Sequence, residues 1–267
     1  MPIVPRPAKA KAAQRVIEVL DFFDEQHHRA TVMDVARRYN RPQSSTSELL
    51  ASLVDLGLLY KDPGSRYYTL TPRAAILGSL SQPRLVRDGR LAALVDSRRG
   101  QTGLGVVLIG MVGPKAQIFR WKPGLLPVDA PSRDLTGGMC DDLCHSAAGW
   151  LLLSTLPMQR REGLIRRLNA EASDDRKFVH SEMSATVQEC GRRGYAAGAA
   201  GFGASASLTA ILLPNEGDDR PMAIGFVHDA SYDRDPMALV SILQKSTQRC
   251  IGFPEEPEGA SPIYNAA

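Results

Sequence analysis

Two groups of residues in this chain have the types and spacing to do chemistry. The first is Gln43, Ser44, Ser45 and Ser47, followed at a distance by Lys61 and Arg66. Small hydroxyl and amide side chains at the start of a helix let a backbone approach phosphates and base edges, and nearby cations neutralise phosphate charge. The second is Cys140, Asp141, Cys144 and His145, four potential metal ligands or nucleophiles within six residues. On a helix, Cys140 and Cys144 would share a face. A closed zinc site needs four ligands, commonly with a second paired motif elsewhere, and Cys190 and Cys250 are isolated. Adjacent residues do not by themselves supply a base and an orienter. Packed thiols and helix-capping acids are therefore the reading for this group, with no metal, no cofactor and no catalytic residue.

The first group sits in a recognisable order of elements. Thr31 caps a helix, with Asp34 three residues on, and Val32, Val35, Ala36 and Tyr39 recur at helical spacing. Asn40-Arg41-Pro42 ends it. Ser44 or Ser45 caps the next helix, whose apolar face is Leu49, Leu50, Leu53 and Leu56, and Gly57 stops it. Leu58–Tyr60 and Tyr67–Leu70 are strand-like runs around the turn Asp62-Pro63-Gly64-Ser65. Helix, break, helix, ribbon is the order of a winged helix-turn-helix, and its partner is duplex DNA. A preceding helix, Ala12 to Phe23, offers Val16, Ile17, Leu20 and Phe23 to the same core. Pro72 opens a short helix through Leu80.

Charge agrees with this reading. Residues 1–80 hold 11 Lys and Arg against 8 Asp and Glu, which accounts for the whole net charge of +3; residues 81–267 carry 21 of each sign. The basic excess lies with the motif.

Pro83 marks a break. Leu85, Leu91, Leu94 and Val95 suggest a linker helix over 81–100, in which Arg98 and Arg99 are taken as a solvated end. From Thr102 the pattern changes. Val106–Ile109 and Gln117–Trp121 are strands around Gly113-Pro114. His145–Leu156, Met158–Leu168 and Ser184–Gly191 are helices. Leu208–Leu213 and Met222–Val227 are strands around Asn215–Asp218, and a last helix runs from about Pro236 to Cys250. Strands, helices and strands again predict an α+β domain on an antiparallel sheet. Gly103-Leu104-Gly105 and the glycines of 198–203 lack the strand-to-helix context of a nucleotide loop and read as bends. Four cysteines with no signal-peptide pattern predict reduced thiols and a cytoplasmic setting. No apolar run approaches the roughly 20 residues that a spanning helix needs.

The motifs AQRVIEVLDFF, RPQSSTSELLASLVDLGLLYKDPGSRYYTLTPRAAILG, HSAAGWLLLSTL and ECGRRGYAAG, in this order, resemble the IclR family of bacterial transcriptional regulators over about residues 14–252. The resemblance implies a flexible lead (1–13), a winged helix-turn-helix for operator DNA (14–80), a linker helix (81–100), a GAF-like effector-binding domain (101–252) and a tail (253–267). It also implies a homodimer or homotetramer, no membrane association and a small-molecule effector, an organic or aromatic acid. Effector-binding candidates are Met111, Arg120, Cys140, Ser205, Ser207 and Thr209. The alternatives are a ligand-independent DNA-binding scaffold and, less favoured, an enzyme using the GAF-like domain. The chain departs from the family pattern in three places. Glu48 stands where a basic residue is common, and Asn40 replaces a glycine. The segment Ala196–Gly203 lacks the usual acidic anchors for a carboxylate effector, leaving Ser205, Ser207 and Thr209.

Overall fold

Thr31 opens the helix-turn-helix by reciprocal bonding. The Asp34 amide donates to the Thr31 hydroxyl at 3.3 Å, and the Thr31 amide donates to the Asp34 carboxylate at 2.8 Å. This capping box satisfies two otherwise orphaned amides and starts α2, Val32–Arg38. Asn40 then takes a left-handed conformation, φ +49, and turns the chain. The computed structural model describes residues 8–23, 27–77, 94–95, 102–125, 135–214, 221–229 and 235–251. The expected linker helix with Arg98 and Arg99, the turn at 215–218, and the Cys250 side chain lie outside the described residues; of the linker only Leu94 and Val95 fall within them.

The chain forms two compact units, residues 1–82 and 83–267. In the first, α1 (Ala8–Phe22) and α2 pack with α3 (Gln43–Asp55) and a two-stranded antiparallel wing. The wing strands, β1 (Leu59–Lys61) and β2 (Tyr68–Leu70), pair Leu59 with Leu70 and Lys61 with Tyr68. Asp62 shapes the wing turn, accepting from the Gly64 and Ser65 amides and the Ser65 hydroxyl. Pro72 opens α4, Pro72–Ile76.

Three sequence expectations change here. Neither Ser44 nor Ser45 caps α3. Pro42, extended at ψ 138, is the N-cap, and its carbonyl accepts from the Thr46 amide at 3.1 Å, so both serines lie inside the first turn. Leu56 is 60 % exposed. It lies past the helix end, and the left-handed Gly57 sends Leu58 into the core in its place. On α1 the buried residues are Val19 and Phe22, while Ile17 is 54 % exposed, because the contact stripe follows the 16–19–22/23 spacing.

The second unit is built on a six-stranded antiparallel sheet in the order β5-β4-β3-β8-β7-β6. Its strands are β3 (Gly105–Val112), β4 (Lys115–Lys122), β5 (Cys140–Asp142), β6 (Tyr195–Gly201), β7 (Ala204–Leu212) and β8 (Met222–Asp229). Helices α5 (Ala147–Ser154), α6 (Met158–Glu171) and α7 (His180–Arg193) separate β5 from β6, and α8 (Pro236–Ile251) follows β8. One sheet face, with Val107, Ile109, Ile118, Leu208 and Ala210, packs on Leu151, Leu152, Ile165 and Val187 of α5–α7. The other, with Val106, Leu108, Ile211, Ile224 and Phe226, packs on Leu239, Val240 and Leu243 of α8 and on Leu94 and Val95. The result is the expected α+β class. Two stretches differ: Cys140–Asp142, read with its acids as helix caps, is the edge strand β5, with Ser146 capping α5 instead, and the glycine-rich segment read as bends is a strand from Tyr195 to Gly201, where the bend comes at Phe202 and Gly203, both at positive φ. Alanine and glycine have weak strand preference, so β6 exists because β7 pairs with it.

Candidate functional site

The outward face of α3 is Gln43, Ser44, Ser47, Glu48 and Ala51, all exposed. Thr46, Leu50 and Leu53 are buried behind it, so the core fixes which residues look out. Ser45 is half-buried and committed inward: its hydroxyl receives a bond from Arg15 Nη2 at 3.1 Å and donates to the Pro42 carbonyl at 3.3 Å. Among the described residues, the amides of Gln43, Ser44 and Ser45 find no acceptor, and the first turn holds no acidic side chain. The helix therefore starts as an uncompensated positive end.

No lysine or arginine lies on α3; its charged side chains are Glu48 and Asp55. The cations come from its neighbours. Arg15 touches Ser45, and Arg41, just before α3, is held by Glu18 at 2.7 and 3.2 Å. On the wing, Arg66 is exposed at φ +59, and the Lys61 ammonium stands 5.6 Å over the Tyr68 ring. Arg29 stacks 4.7 Å over Tyr67 beside Arg66. Sequence reasoning missed Arg15, Arg29 and Arg41; the local excess of basic residues was the signal that could have found them.

Of the second cluster, Asp141, Asp142 and His145 do gather, with one potential ligand atom from each lying within 4.8 Å of the others. The two carboxylates are already engaged by the protein; His145 Nε2 lies 3.1 Å from the Arg176 carbonyl oxygen, while its buried Nδ1 stands 3.8 Å from Asp142 Oδ2 with no hydrogen bond among the described residues. Asp141 Oδ1 accepts from Arg176 Nη2 at 2.7 Å and from the Asp142 amide at 2.8 Å, and Oδ2 accepts from the Phe202 amide at 2.8 Å. Asp142 pairs with Lys115 at 2.9 Å. Burial opposes ionisation of Asp141, but donation from Arg176 and the two amides outweighs it, and its pKa lies below the usual carboxylate value. The cluster is a clasp joining β5, the Arg176 segment and the β6–β7 turn. Cys140 is an exposed strand residue, whereas Cys144 lies in a short 3-10 turn, so the two do not share a helix face as expected. Burial, reinforced by Asp142, pushes the Cys144 thiol up to about 12.

The six effector candidates do not converge. Met111 packs against the α5–α7 core. Arg120 is in register with Leu108, on the α8 face. Thr209 is buried, with its hydroxyl 3.4 Å from His228 Nε2; Ser205 and Ser207, four and two residues before it on β7, share its face of the sheet, the one turned to α8. Cys140 is on β5 at one edge of the sheet, four strands from β7, roughly 19 Å at the usual strand spacing. A cleft of about 440 Å³ lies elsewhere, lined in part by Trp150, Thr186, Glu189, Arg193, Tyr195 and Pro236. Trp150 Nε1 donates to the Cys144 carbonyl at 2.8 Å, and its ring lies so close over Gly198 that a Cβ there would sit 2.8 Å away.

The IclR helix-turn-helix domain family matches residues 12–63. Several solved structures share the fold along nearly the whole chain. One is an IclR transcriptional regulator from Alicyclobacillus acidocaldarius, 19% identical with a TM-score of 0.56, covering 92% of this chain and 98% of that one. The Thermotoga maritima IclR is 15% identical with a TM-score of 0.56, covering 91% and 100%. An IclR homologue from Microbacterium hydrocarbonoxydans, complexed with 4-hydroxybenzoate, is 17% identical with a TM-score of 0.54, covering 90% and 97%. No curated protein sequence matches the chain.

Proposed function

We infer that this chain, an IclR-type transcriptional regulator by its helix-turn-helix domain and its fold, binds duplex operator DNA with α3 in the major groove and the wing on the adjoining backbone. The observation that carries this reading is the exposed, uncapped start of α3, flanked by cations from α1, the turn and the wing. Gln43, Ser44 and Ser47 read base edges. Ser45 holds the helix against Arg15. Lys61 and Arg66 contact phosphates. Glu48 is exposed on the outward face of α3. A carboxylate can only accept, so in the groove it selects the cytosine amino group and is repelled by phosphate. The DNA-binding part spans 14–80 and the sensing part 101–252. A homodimer presents two α3 helices about one DNA turn apart. The setting is the cytoplasm, where the DNA is; among the described residues no helix is long and apolar enough to cross a membrane.

Fluorescence anisotropy with the duplex upstream of the chain's own gene, against a scrambled duplex, tests this. Binding should favour the upstream duplex and weaken steeply with salt. Lys61→Ala and Arg66→Ala should each lower the log–log salt slope by about one. Glu48→Gln should relax the sequence preference while leaving that slope nearly unchanged. Equal binding of both duplexes at low salt sinks the proposal.

The finer reading is control by an aromatic or other organic acid, supported by the relative complexed with 4-hydroxybenzoate. A ligand at a hundredfold excess over its Kd stabilises by about 2.7 kcal/mol, which raises Tm by several degrees. A thermal-shift screen of 4-hydroxybenzoate and related acids should find such a compound. A second reading, a ligand-independent scaffold, is favoured by the dispersal of the six candidate residues; a screen with no shift decides for it. The enzyme alternative draws no support from Cys144, whose buried thiol is a poor nucleophile.

A further inference from the structure

The cleft beside β6 is made by one turn of the chain. α7 ends at Gly194, which is left-handed at φ +73 and whose amide donates to the Cys190 carbonyl at 2.9 Å. The turn brings Tyr195–Ala197 into one cleft with Thr186, Glu189 and Arg193 of α7, and Trp150 of α5 and Pro236 at the start of α8 join the lining. The space stays open because the strand has little to fill it with: from Ala196 to Gly201 no side chain exceeds a methyl. Its volume, about 440 Å³, falls within the range of roughly 300–1,000 Å³ common to small-molecule sites. None of the six effector candidates expected from the sequence lines it.

The polar groups of the cleft are unevenly spent. Glu189 accepts from Arg192 at 2.6 and 2.7 Å and from Arg193 Nε, and donation from Arg192, with Arg193, pulls its pKa down to about 2. That carboxylate is satisfied. Arg193 gives Glu189 only its Nε, and its two Nη groups have no partner among the described residues. Thr186 donates its hydroxyl to the Glu182 carbonyl at 2.9 Å. β6 adds a donor of its own. Its one strand neighbour among the described residues is β7, and in an antiparallel ladder alternate residues turn their N–H groups away from the partner. At least one N–H of Tyr195–Ala197 therefore points outward. The charged group left free among those lining the cleft is a guanidinium, and the ligand that suits it is an anion.

The rest of the lining is apolar and held in place. Ala196 and Cys190 are buried, and burial raises the pKa of the Cys190 thiol, so it stays neutral. Trp150 is fixed, because its Nε1 donates to the Cys144 carbonyl and its six-membered ring lies against Gly198. Tyr195, half-buried, offers a second ring. Rings already held in position lose little freedom when a planar ligand packs on them. We propose that this cleft binds a small aromatic carboxylate, its ring against Trp150 and Tyr195 and its carboxylate on the Nη groups of Arg193 and an outward amide of β6. The proposal rests on the reading of this chain as a sensor of organic acids and gives that reading a place in the fold.

Thermal shift on the full chain with 4-hydroxybenzoate, benzoate and the neutral 4-hydroxybenzamide tests the site. At least one of the acids should raise Tm by several degrees near saturation, and the amide should not. Arg193→Gln removes the guanidinium and should weaken the acid roughly tenfold or more. Ala197→Leu places a larger side chain in the cleft from an exposed strand position and should abolish the shift. Both variants should melt near the wild type when no acid is present. An acid that binds either variant as tightly as the wild type overturns the proposal and leaves the sensing reading standing, with its site elsewhere. An equal shift by the amide overturns it too. No shift by either acid on the wild type overturns the proposal, and the wider screen of organic acids then decides the sensing reading by itself. If a variant fails to fold, Trp150 fluorescence in a Trp121→Phe chain decides. Saturable quenching by the acid supports the site, and no quenching at a concentration that shifts the wild-type Tm overturns it.

Discussion

Gly149→Ala is expected to destabilise the C-terminal unit strongly. Helix propensity alone points the other way, since alanine exceeds glycine by about 1 kcal/mol inside a helix. Tertiary packing reverses the sign. A Cβ on Gly149 would lie 2.1 Å from the Leu143 carbonyl oxygen and 2.7 Å from its carbon. Both are backbone atoms, and Leu143 is fully buried. The turn that carries Leu143 cannot easily retreat, because Trp150 Nε1 holds the adjoining Cys144 carbonyl at 2.8 Å. The Gly149 amide is itself tied to the capping hydroxyl of Ser146 at 3.1 Å. Overpacking of this kind costs on the order of 3 kcal/mol, a large share of the stability of an ordinary domain. Urea unfolding followed by tryptophan fluorescence reads it directly, because Trp121 and Trp150, the two tryptophans of the chain, both lie in this unit. The midpoint should fall sharply. An unchanged or higher midpoint would falsify the close approach of α5 to Leu143.

Leu50→Ala should do the same to the N-terminal unit and leave the other alone. Leu50 is fully buried in the cluster of Val19, Phe22, Val35, Leu53, Leu59 and Tyr68. Losing its side chain costs about 2–5 kcal/mol, depending on how far the cavity collapses. Among the described residues the cluster has nine buried members, so each carries a large share of it. DNA binding should disappear with the fold of this unit, while the tryptophan-detected transition stays in place. Leu56→Ala is the contrasting control. Leu56 belongs to the same leucine run but is 60 % exposed, so its loss should change stability by less than about 0.5 kcal/mol. Equal effects of the two substitutions would refute the placement of α3. If Leu50→Ala shifted the tryptophan transition as much as Gly149→Ala does, the two units would not be energetically independent.

Short-range interactions made much of this molecule legible without coordinates. Thr31 and Asp34 sit three residues apart and bond to one another, so the start of α2 is written in four letters. Asn40 and Gly57 stand where the chain must turn through left-handed backbone, and both do. The winged helix-turn-helix order, with Lys61 and Arg66 on the wing, follows from the same local rules, whereas strands β5 and β6 did not show in the sequence. Which side of α1 meets the core was less legible, because adjacent apolar residues such as Val16, Ile17 and Val19 compete, and only the packed partner excludes Ile17.

What the sequence by itself determined, then, is the local starts and turns and the helix, break, helix, ribbon order of the N-terminal unit. Tertiary structure decided everything that depends on pairs far apart in the chain. Tyr195–Gly201 is a strand only because β7 supplies a ladder that alanine and glycine do not favour on their own. Asp141 is a clasp because its carboxylate meets the Phe202 amide, 61 residues away. The effector candidates fell on different faces and edges because strand order and side-chain alternation, not proximity in sequence, place them. Caps and turns close over three or four residues and can be read locally. Strand neighbours are chosen by what the rest of the chain offers to bury, and that choice exists only once the chain has folded.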